Sequence, residues 1–281
     1  MQVVLYAEIE ARTVWPCGLY LFTDMERANK AECEGARRLH EKLQQFPGRV
    51  LTLNHPIDHL KRFELLRKLC ELGVNDFNVY RASEIDESLR YPAFLRYTDK
   101  HIGPLTGLLH SRAELEDTLA ELVAKGHRIA RLLAVEFTDT SDSQGVFWKF
   151  GAFRFGPHAV PGHVFASTQW NAKREFDRRD LVGGREVEWL RDFPCRDQVM
   201  AAFETARLEY GRMDYAVKDG RIQVWEINDN PSMGATFFKR RLFSRREARR
   251  IARPKRKAAF QDLVGRLDLR APPPEFQIGR A

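Results

Sequence analysis

The chain has 281 residues, 43% of them hydrophobic, a composition that is typical of a globular protein and excludes a disordered one. No apolar run approaches the roughly 18 residues of a membrane span, and the N-terminal residues lack the basic region and apolar core of a signal peptide. The four cysteines are widely spaced and form no CxxC pair, so we expect free thiols in a cytoplasmic protein.

The positive charge is concentrated in one segment. Residues 239–257 carry eleven Lys or Arg and one Glu, a net +10, which leaves −3 on the rest because the whole chain carries +7. No aromatic RNA-binding signature or zinc motif accompanies this run. Several apolar residues have instead the spacing of helices packed on the body: Phe243, Ala248, Ile251, Phe260, Leu263, Val264 and Leu267. We therefore do not expect nucleic acid as a partner, although a nucleic-acid-binding segment stays open.

The first 88 residues alternate between strand and helix patterns. The runs "VVLYA", "GLYLF", "GRVLTLN" and "DFNVYR" are predicted as strands. One helix is predicted over Glu26 to Phe46. A second begins after Asp58, a candidate N-cap, and closes on Gly73. This order predicts a small parallel α/β unit.

The pattern changes from residue 89 onward. "YPAFLRYT" is predicted as a strand, "DKHIGPLTG" as a turn, and Ser111, followed by Glu114 at the capping-box spacing, begins a helix that runs to Gly126. "RLLAVEF" reads as a buried strand, and "VFWKFGAFRFG" and "GHVFAS" as antiparallel strands. A helix over Arg196 to Tyr210 precedes a hairpin. Residues 271–281 are expected to form an extended tail.

The hairpin "MDYAVKDGRIQVWEINDN" turns at Asp219-Gly220. A two-residue loop would place Asp214 opposite Trp225 and facing away from Glu226. We predict a three-residue loop, which places Asp214, Glu226 and Asn228 on one face, because side chains alternate with period two.

Two carboxylates at one sheet end repel each other unless a cation lies between them. Oxygen ligands suit magnesium, which is often shared with substrate phosphates. A solvated strand end followed by an Asn-rich turn explains the same residues equally well. The pattern alone leaves both readings open.

The hairpin resembles the metal-binding hairpin of the ATP-grasp superfamily, in which an Asp begins one strand and Glu-x-Asn followed by Pro ends the next. "YPAFLRYTDKHIGPLTGLLHSRAELEDTL" is similar to the family's lid segment, and "RLLAVEFTD" to the strand and hinge that hold adenine. The resemblance extends over about residues 91–235. It implies an α/β (α+β) ATP-grasp fold, in which two α+β subdomains sandwich the nucleotide after a small parallel α/β domain. The implied boundaries are 1–88 for the first domain, 89–270 for the ATP-grasp domain (lid about 91–138, metal-binding subdomain about 139–270) and 271–281 for the tail.

The same resemblance implies roles for individual residues. Asp214, Glu226 and Asn228 would bind Mg²⁺ or Mn²⁺. The nucleotide would be held by Arg96, His101, Gly103, Glu136, Phe137, Thr138 and either Asp139 or Asp142, with the two aspartates as alternatives for the ribose. Arg96 departs from the family, which usually has Lys there. The catalytic candidates are Lys149, Arg154 and His163, although Arg154 as a surface residue and His163 as a core residue remain alternatives.

Family members activate a carboxylate with ATP as an acyl phosphate, which an amine or another nucleophile then displaces. The resemblance therefore implies an ATP- and Mg²⁺-dependent ligase that joins a small-molecule or peptide carboxylate to a nucleophile. Two alternative functions remain open, a small-molecule kinase and a non-catalytic nucleotide-binding protein. A homodimer is also possible.

Overall fold

Four sheets are formed by the strands in the computed structural model, which describes residues 2–100, 102–171, 179–231, 246–270 and 275–277. The strands are β1 (Val14–Pro16), β2 (Gly18–Leu21), β3 (Val50–Leu53), β4 (Val79–Arg81), β5 (Ala93–Tyr97), β6 (Leu132–Glu136), β7 (Phe147–Phe155), β8 (His158–Ser167), β9 (Tyr210–Lys218), β10 (Arg221–Asn228) and β11 (Glu275–Gln277). The α-helices are α1 (Lys30–Leu43), α2 (Arg62–Glu71), α3 (Arg112–Ala124), α4 (Arg179–Asp192), α5 (Arg196–Ala206) and α6 (Arg246–Gly265). Among the residues covered, no helix is long and apolar enough to cross a membrane.

The N-terminal part contains a parallel pair, β2 and β3, joined through α1. A full capping box starts α1, because the Asn29 side chain accepts from the Glu32 amide and the Glu32 carboxylate accepts from the Asn29 amide. The parallel α/β prediction is confirmed for these two strands. The strand predicted over "VVLYA" is wrong, since Tyr6–Ala11 form a 3-10 helix.

The third predicted strand of that unit, β4, lies in a different sheet. It pairs antiparallel with β6, and β6 pairs antiparallel with β5. Each face of this three-stranded sheet carries its own apolar cluster, one containing Val79 and Phe94 and the other Tyr80 and Leu95. Side chains of β4 are buried on both faces of this sheet, and we take this burial as the reason why β4 joins it and does not extend the parallel pair β2–β3.

Helix α2 begins later than predicted. Its N-cap is Lys61, and the predicted cap Asp58 remains in the preceding loop. There the Asp58 amide donates to His55 Nδ1 and its carboxylate pairs with Arg207. Asp58 is therefore used for loop closure and a surface ion pair.

The four-stranded sheet, in the order β10-β9-β7-β8, is antiparallel throughout. Its apolar face carries Phe150, Met213 and Tyr215, which share a core with Val199 and Phe203 of α5. Helix α5 ends at Ala206, before the predicted Tyr210, because Arg207 takes a left-handed conformation and Tyr210 begins β9. Helix α4 was not predicted.

The β9–β10 hairpin closes with a two-residue turn, so the predicted three-residue loop is wrong. Asp219 and Gly220 both have positive φ, 51° and 75°, and Lys218 faces Arg221. This is the type I′ pattern that Asp-Gly favours. A β-bulge between Val224 and Glu226 then shifts the register by one residue and places Glu226 opposite Asp214. The expected juxtaposition therefore arises from the bulge and not from the turn.

The segment after β5 folds back along that strand. Leu105 and Leu109 donate their amides to the Leu95 and Ala93 carbonyls. The Ser111 side chain accepts from the Glu114 amide, which confirms the predicted cap of α3. The loop is thus fastened to β5 on one side and to α3 on the other.

Helix α6 packs a face of small and aliphatic residues, including Ala248, Ala252 and Leu263, against the body. Phe260, expected to pack there as well, is 39% exposed, and Phe243 lies outside the described residues. Within the predicted tail, β11 pairs with β1.

Candidate functional site

Asp214 is a buried carboxylate on β9 with two direct cationic partners. Lys149 Nζ on β7 lies 2.9 Å from Oδ2, and Arg212 Nε, two residues earlier on β9, donates to Oδ1 at 3.0 Å. Burial would raise the pKa of Asp214, but the charges of Lys149 and Arg212 lower it below its ordinary value. The carboxylate is therefore held ionised.

Glu226 lies opposite Asp214 on β10 and has two cationic partners of its own. Arg96 Nη2 on β5 donates to Oε2 at 2.8 Å, and Arg62 Nη2 at the start of α2 donates to the same oxygen at 3.0 Å. Burial, and next the charge of Arg62, lower the pKa of Arg96, while Glu226 opposes this. The cationic side chain that stands where the family resemblance expects Lys therefore contacts the predicted metal ligand directly.

We call these six side chains the charge cluster: Asp214, Glu226, Arg62, Arg96, Lys149 and Arg212. Four cations from four different elements face these two carboxylates. Glu26, which accepts from the Arg62 amide and raises the pKa of Arg96, is a third carboxylate nearby, so among the described side chains four cations meet three carboxylates. The elements involved are α2, β5, β7 and the β9–β10 hairpin. Such an excess in a largely buried place favours an anion bearing several charges, such as a polyphosphate.

The donor set of the cluster fits a hard divalent cation. Asn228 lies two residues beyond Glu226 on β10, opposite Arg212, and its Oδ1 accepts from the Asn230 amide. No group of three or more His, Cys, Asp or Glu suited to a metal is found in the part of the chain that the structure describes. A magnesium ion would thus rest on two carboxylates, the Asn228 amide, water and oxygen atoms of its ligand, which is its usual preference.

His163 on β8 lies beside the cluster. Its Nε2 is 4.0 Å from Asp214 Oδ1, and its ring packs over Gly151. Burial is the main cause that lowers the pKa of His163 to about 3, so the contact with Asp214 involves a neutral imidazole and is not an ion pair. His163 therefore lies where a catalytic residue could act, but in a fully enclosed position.

The predicted adenine hinge lies at the end of β6. The Glu136 carboxylate is buried and accepts from Arg90, the Asn78 amide and the Tyr80 hydroxyl. The amides of Glu136 and Phe137 donate to the Asn78 and Pro92 carbonyls. These two amides are thus engaged within the protein.

Thr138 lies next to the far end of β9. Lys218 Nζ lies 3.4 Å from Thr138 Oγ1, and Lys218 is four residues along β9 from Asp214, about 13 Å at the rise of a strand. The Phe137 ring meets Trp170 edge-on at 5.9 Å. The hinge therefore lies near the C-terminal end of β9, whereas the charge cluster lies at the middle of that strand.

The two ribose candidates differ in their surroundings. Asp142 accepts from Trp148 Nε1 and from the Gln144 and Val146 amides, so its carboxylate organises its own loop. Asp139 is exposed and accepts from the Ser141 amide and hydroxyl. Of the two, Asp139 is the more accessible.

Two further predicted residues belong to the loop over residues 100–103, which is predicted to close over the phosphates. Gly103 has a φ of +81° and precedes Pro104, which bridges to Arg96. A glycine suits this left-handed conformation. His101 lies outside the described residues.

Arg154 is not brought into the cluster. It lies three residues beyond Gly151 on β7, and its guanidinium donates to the Gly156 and Leu208 carbonyls. Burial lowers its pKa. Its visible role is to join the end of β7 to the segment before β9.

Two members of the charge cluster were not predicted from the sequence. Arg212 could have been found, because it lies two residues before Asp214 on the same strand and therefore on the same face. Arg62 carries no such local signal, since its ion pair spans 164 residues.

The chain matches no protein-family model and no curated protein sequence. Among solved structures it is similar to the D-alanine–D-alanine ligase from Coxiella burnetii (12% identity, TM-score 0.48, 82% of this chain and 64% of that one). It is also similar to the D-alanine–D-alanine ligase from Bacillus anthracis complexed with ATP (12%, 0.46, 84% and 79%). A third structure is the N5-carboxyaminoimidazole synthase from Aspergillus clavatus in complex with ADP and 5-aminoimidazole ribonucleotide (12%, 0.44, 73% and 51%).

The chain thus spans between 51% and 79% of the length of these enzymes. All three are ATP-grasp enzymes. The predicted mixed α/β class is confirmed by the sheets and helices described above. Because the TM-scores lie below 0.5, the function proposed below rests on the chain's own residues.

Proposed function

We propose that the chain is an ATP-grasp ligase that binds ATP at the charge cluster and activates a carboxylate as an acyl phosphate for attack by an amine or another nucleophile. One observation carries the proposal: four cations from separate elements converge on two facing carboxylates, and among the described side chains of the site the cations outnumber the carboxylates. Binding a polyphosphate there would offset this excess. The substrates proposed are a small-molecule or peptide carboxylate and a nucleophile.

The roles of the residues follow from charge. Asp214, Glu226 and Asn228 would hold Mg²⁺ (or Mn²⁺), which when bound neutralises phosphate oxygens. Once the carboxylates are so occupied, Arg62, Arg96, Lys149 and Arg212 can turn their donors toward the transferring phosphoryl group and the incoming carboxylate. Neutral His163 adds no charge and keeps solvent from the inner side of Asp214.

The proposal also assigns parts of the chain to the domains of an ATP-grasp enzyme. The segment over about 91–138 would act as the lid and the segment over about 139–270 as the metal-binding subdomain, with residues 1–88 as the preceding domain. The three-stranded sheet and the four-stranded sheet would then lie on either side of the nucleotide. Free thiols agree with the proposed cytoplasmic location.

The first test is calorimetric titration with a non-hydrolysable ATP analogue, with and without magnesium. In Glu226→Gln, the magnesium-dependent part of the affinity should fall tenfold or more, about 1.4 kcal/mol, because a charged ligand is replaced by a neutral one. The matched control is Glu64→Gln, which removes a carboxylate paired with one arginine at the surface. Unchanged magnesium dependence in Glu226→Gln would remove Glu226 from the metal site, and a parent protein that does not bind the nucleotide would overturn the proposal.

The reaction class is tested by the products. The protein is incubated with ATP, magnesium and pools of carboxylates and amines. Release of ADP together with phosphate supports the ligase. ADP without phosphate would point to a kinase that phosphorylates a hydroxyl, and AMP would point to adenylation. Nucleotide binding without any product would leave a non-catalytic binding protein.

A further inference from the structure

Trp170 lies three residues after the end of β8 and packs on the three-stranded sheet. Its ring centroid is 4.9 Å from that of Phe94 on β5 and 5.9 Å from that of Phe137, the residue after β6. Aromatic rings at these distances are in direct contact. A side chain that follows the four-stranded sheet therefore covers part of one face of the three-stranded sheet.

The covered face is the one that looks toward the charge cluster. Helix α3 packs on the opposite face, in the apolar cluster that contains Leu95. Phe94 and Arg96 share the covered face, because side chains alternate along a strand, and Arg96 reaches from it to Glu226 of β10. Phe94 and Arg96 are two residues apart, about 7 Å at the rise of a strand. The Trp170 indole and the charge cluster therefore lie side by side in the cleft between the two sheets.

This arrangement matches the layout of a nucleotide, in which a ribose separates the base from the phosphates. Under the proposed function, on which this inference rests, the phosphates lie at the charge cluster and the base lies toward Phe137 of the predicted adenine hinge. The part of Phe94 that Trp170 covers lies between these two places. A base cannot lie against that surface unless the Trp170 indole moves away.

We propose that Trp170 is an autoinhibitory plug, whose indole fills the base end of the nucleotide cleft in the free protein and must leave before a nucleotide binds. The plug is stabilised by burial of apolar surface and needs no charged partner. Trp170 is only partly buried and lies outside the strands and helices, so its departure breaks no hydrogen bond of a sheet or helix. When the binding-competent state is only a fraction of the molecules, the apparent affinity falls by that fraction. The plug therefore lowers the affinity for nucleotides.

The test is calorimetric titration of the full chain, in the presence of magnesium, with a non-hydrolysable ATP analogue and with inorganic tripolyphosphate. Tripolyphosphate resembles the phosphates of the nucleotide but has no base, so it reports on the charge cluster alone. Trp170→Ala removes the plug, and Trp170→Phe leaves a smaller ring in its place. The matched control for the second variant is Trp189→Phe. Trp189 stacks on Phe150, on the other face of the four-stranded sheet.

We expect Trp170→Ala to bind the ATP analogue about fivefold tighter than the parent or better, and Trp170→Phe to lie between the two. The affinity for tripolyphosphate should be the same in all variants, and Trp189→Phe should bind both ligands like the parent. Weaker or unchanged binding of the analogue by both Trp170 variants, or an equal gain for tripolyphosphate, would overturn the plug and leave the proposed nucleotide site in place. If the parent and all variants bind neither ligand, the proposed function fails and the plug fails with it.

Discussion

At the scale of single residues, His163 determines how charge is distributed around Asp214. Its ring is buried over Gly151 of β7, and burial holds it neutral, with a pKa of about 3. If it were protonated, it would add a further positive charge beside Lys149 and Arg212. A neutral His163 therefore leaves these two residues as the cations that pair with Asp214.

This predicts a pH dependence of stability. Because the folded pKa lies below the ordinary 6.5, the unfolded state binds more protons between those values. The stability that neutral His163 contributes is complete above about pH 6.5 and is lost as the pH falls toward 3. Between about pH 7.5 and pH 5 the parent should lose up to about 2 kcal/mol more than His163→Gln.

Urea unfolding at the two pH values measures this difference. Asp214 does not affect this comparison. Its pKa is lowered from the ordinary value of 3.8, so it stays ionised at both pH values. Burial also lowers the pKa values of His40 and His59, so the variant should keep part of the pH dependence. Equal losses in parent and variant would show that His163 is not held neutral.

Residue types and the family resemblance predicted that Asp214 and Glu226 meet on the hairpin, but strand alternation did not, because the predicted loop is wrong and a bulge brings the two side chains together. Asp214 and Glu226 could be predicted because the resemblance expects an Asp on the first strand of the hairpin and a Glu-x-Asn sequence at the end of the second. The ion pairs that hold them could not be predicted in full, because Arg62 and Arg96 come from distant elements. Local spacing contains no information about such contacts.

At the scale of elements, Gly151 allows the His163 ring of β8 to pack closely on the backbone of β7. A Cβ at Gly151 would lie 2.5 Å from His163 Cε1 and 2.7 Å from Nδ1. The His163 ring is buried and has little room to move. Gly151→Ala should therefore cost about 1–3 kcal/mol, the usual cost of overpacking a core.

Gly184→Ala is the matched control. Gly184 lies in α4, and an added Cβ meets nothing within 4 Å. This substitution should stabilise the protein by about 0.5–1 kcal/mol, because alanine favours the helix. The midpoints of urea unfolding compare the two variants. If Gly151→Ala is as stable as the parent, the close approach between β7 and His163 is not a constraint.

The hairpin shows why registers are difficult to predict from local sequence. Asp-Gly specifies a tight turn, and the structure has one. The bulge that follows depends on tertiary packing, because Trp225, the residue at the bulge, stacks on Phe77 with ring centroids 5.0 Å apart. A turn is encoded locally, whereas this bulge is encoded by residues far apart in the chain.

At the scale of the whole molecule, Arg62 joins three parts of the fold. Its buried guanidinium belongs to α2, donates to the Tyr97, Thr98 and Lys100 carbonyls at the end of β5 and just after it, and also donates to Glu226 of β10. A single side chain thus links the N-terminal part, the loop after β5 and the hairpin. The sheets as separate units could be predicted in part, but this connection between them could not.

Arg62→Met should destabilise the protein by roughly 3 kcal/mol, because one partner of a buried charge pair is removed and three carbonyls lose their donor. The loop after β5 should open more often, so trypsin should cleave after Lys100 faster than in the parent.

Arg62→Lys separates the ion pair with Glu226 from the hydrogen bonds to the loop carbonyls. Its point charge can still pair with Glu226, but it lacks the fork that reaches several carbonyls. It should therefore recover part of the stability while cleavage after Lys100 remains fast. Arg81→Met, which breaks an exposed pair with Glu64, is the control and should change neither quantity appreciably. Slow cleavage after Lys100 in both Arg62 variants would show that Arg62 does not hold the loop.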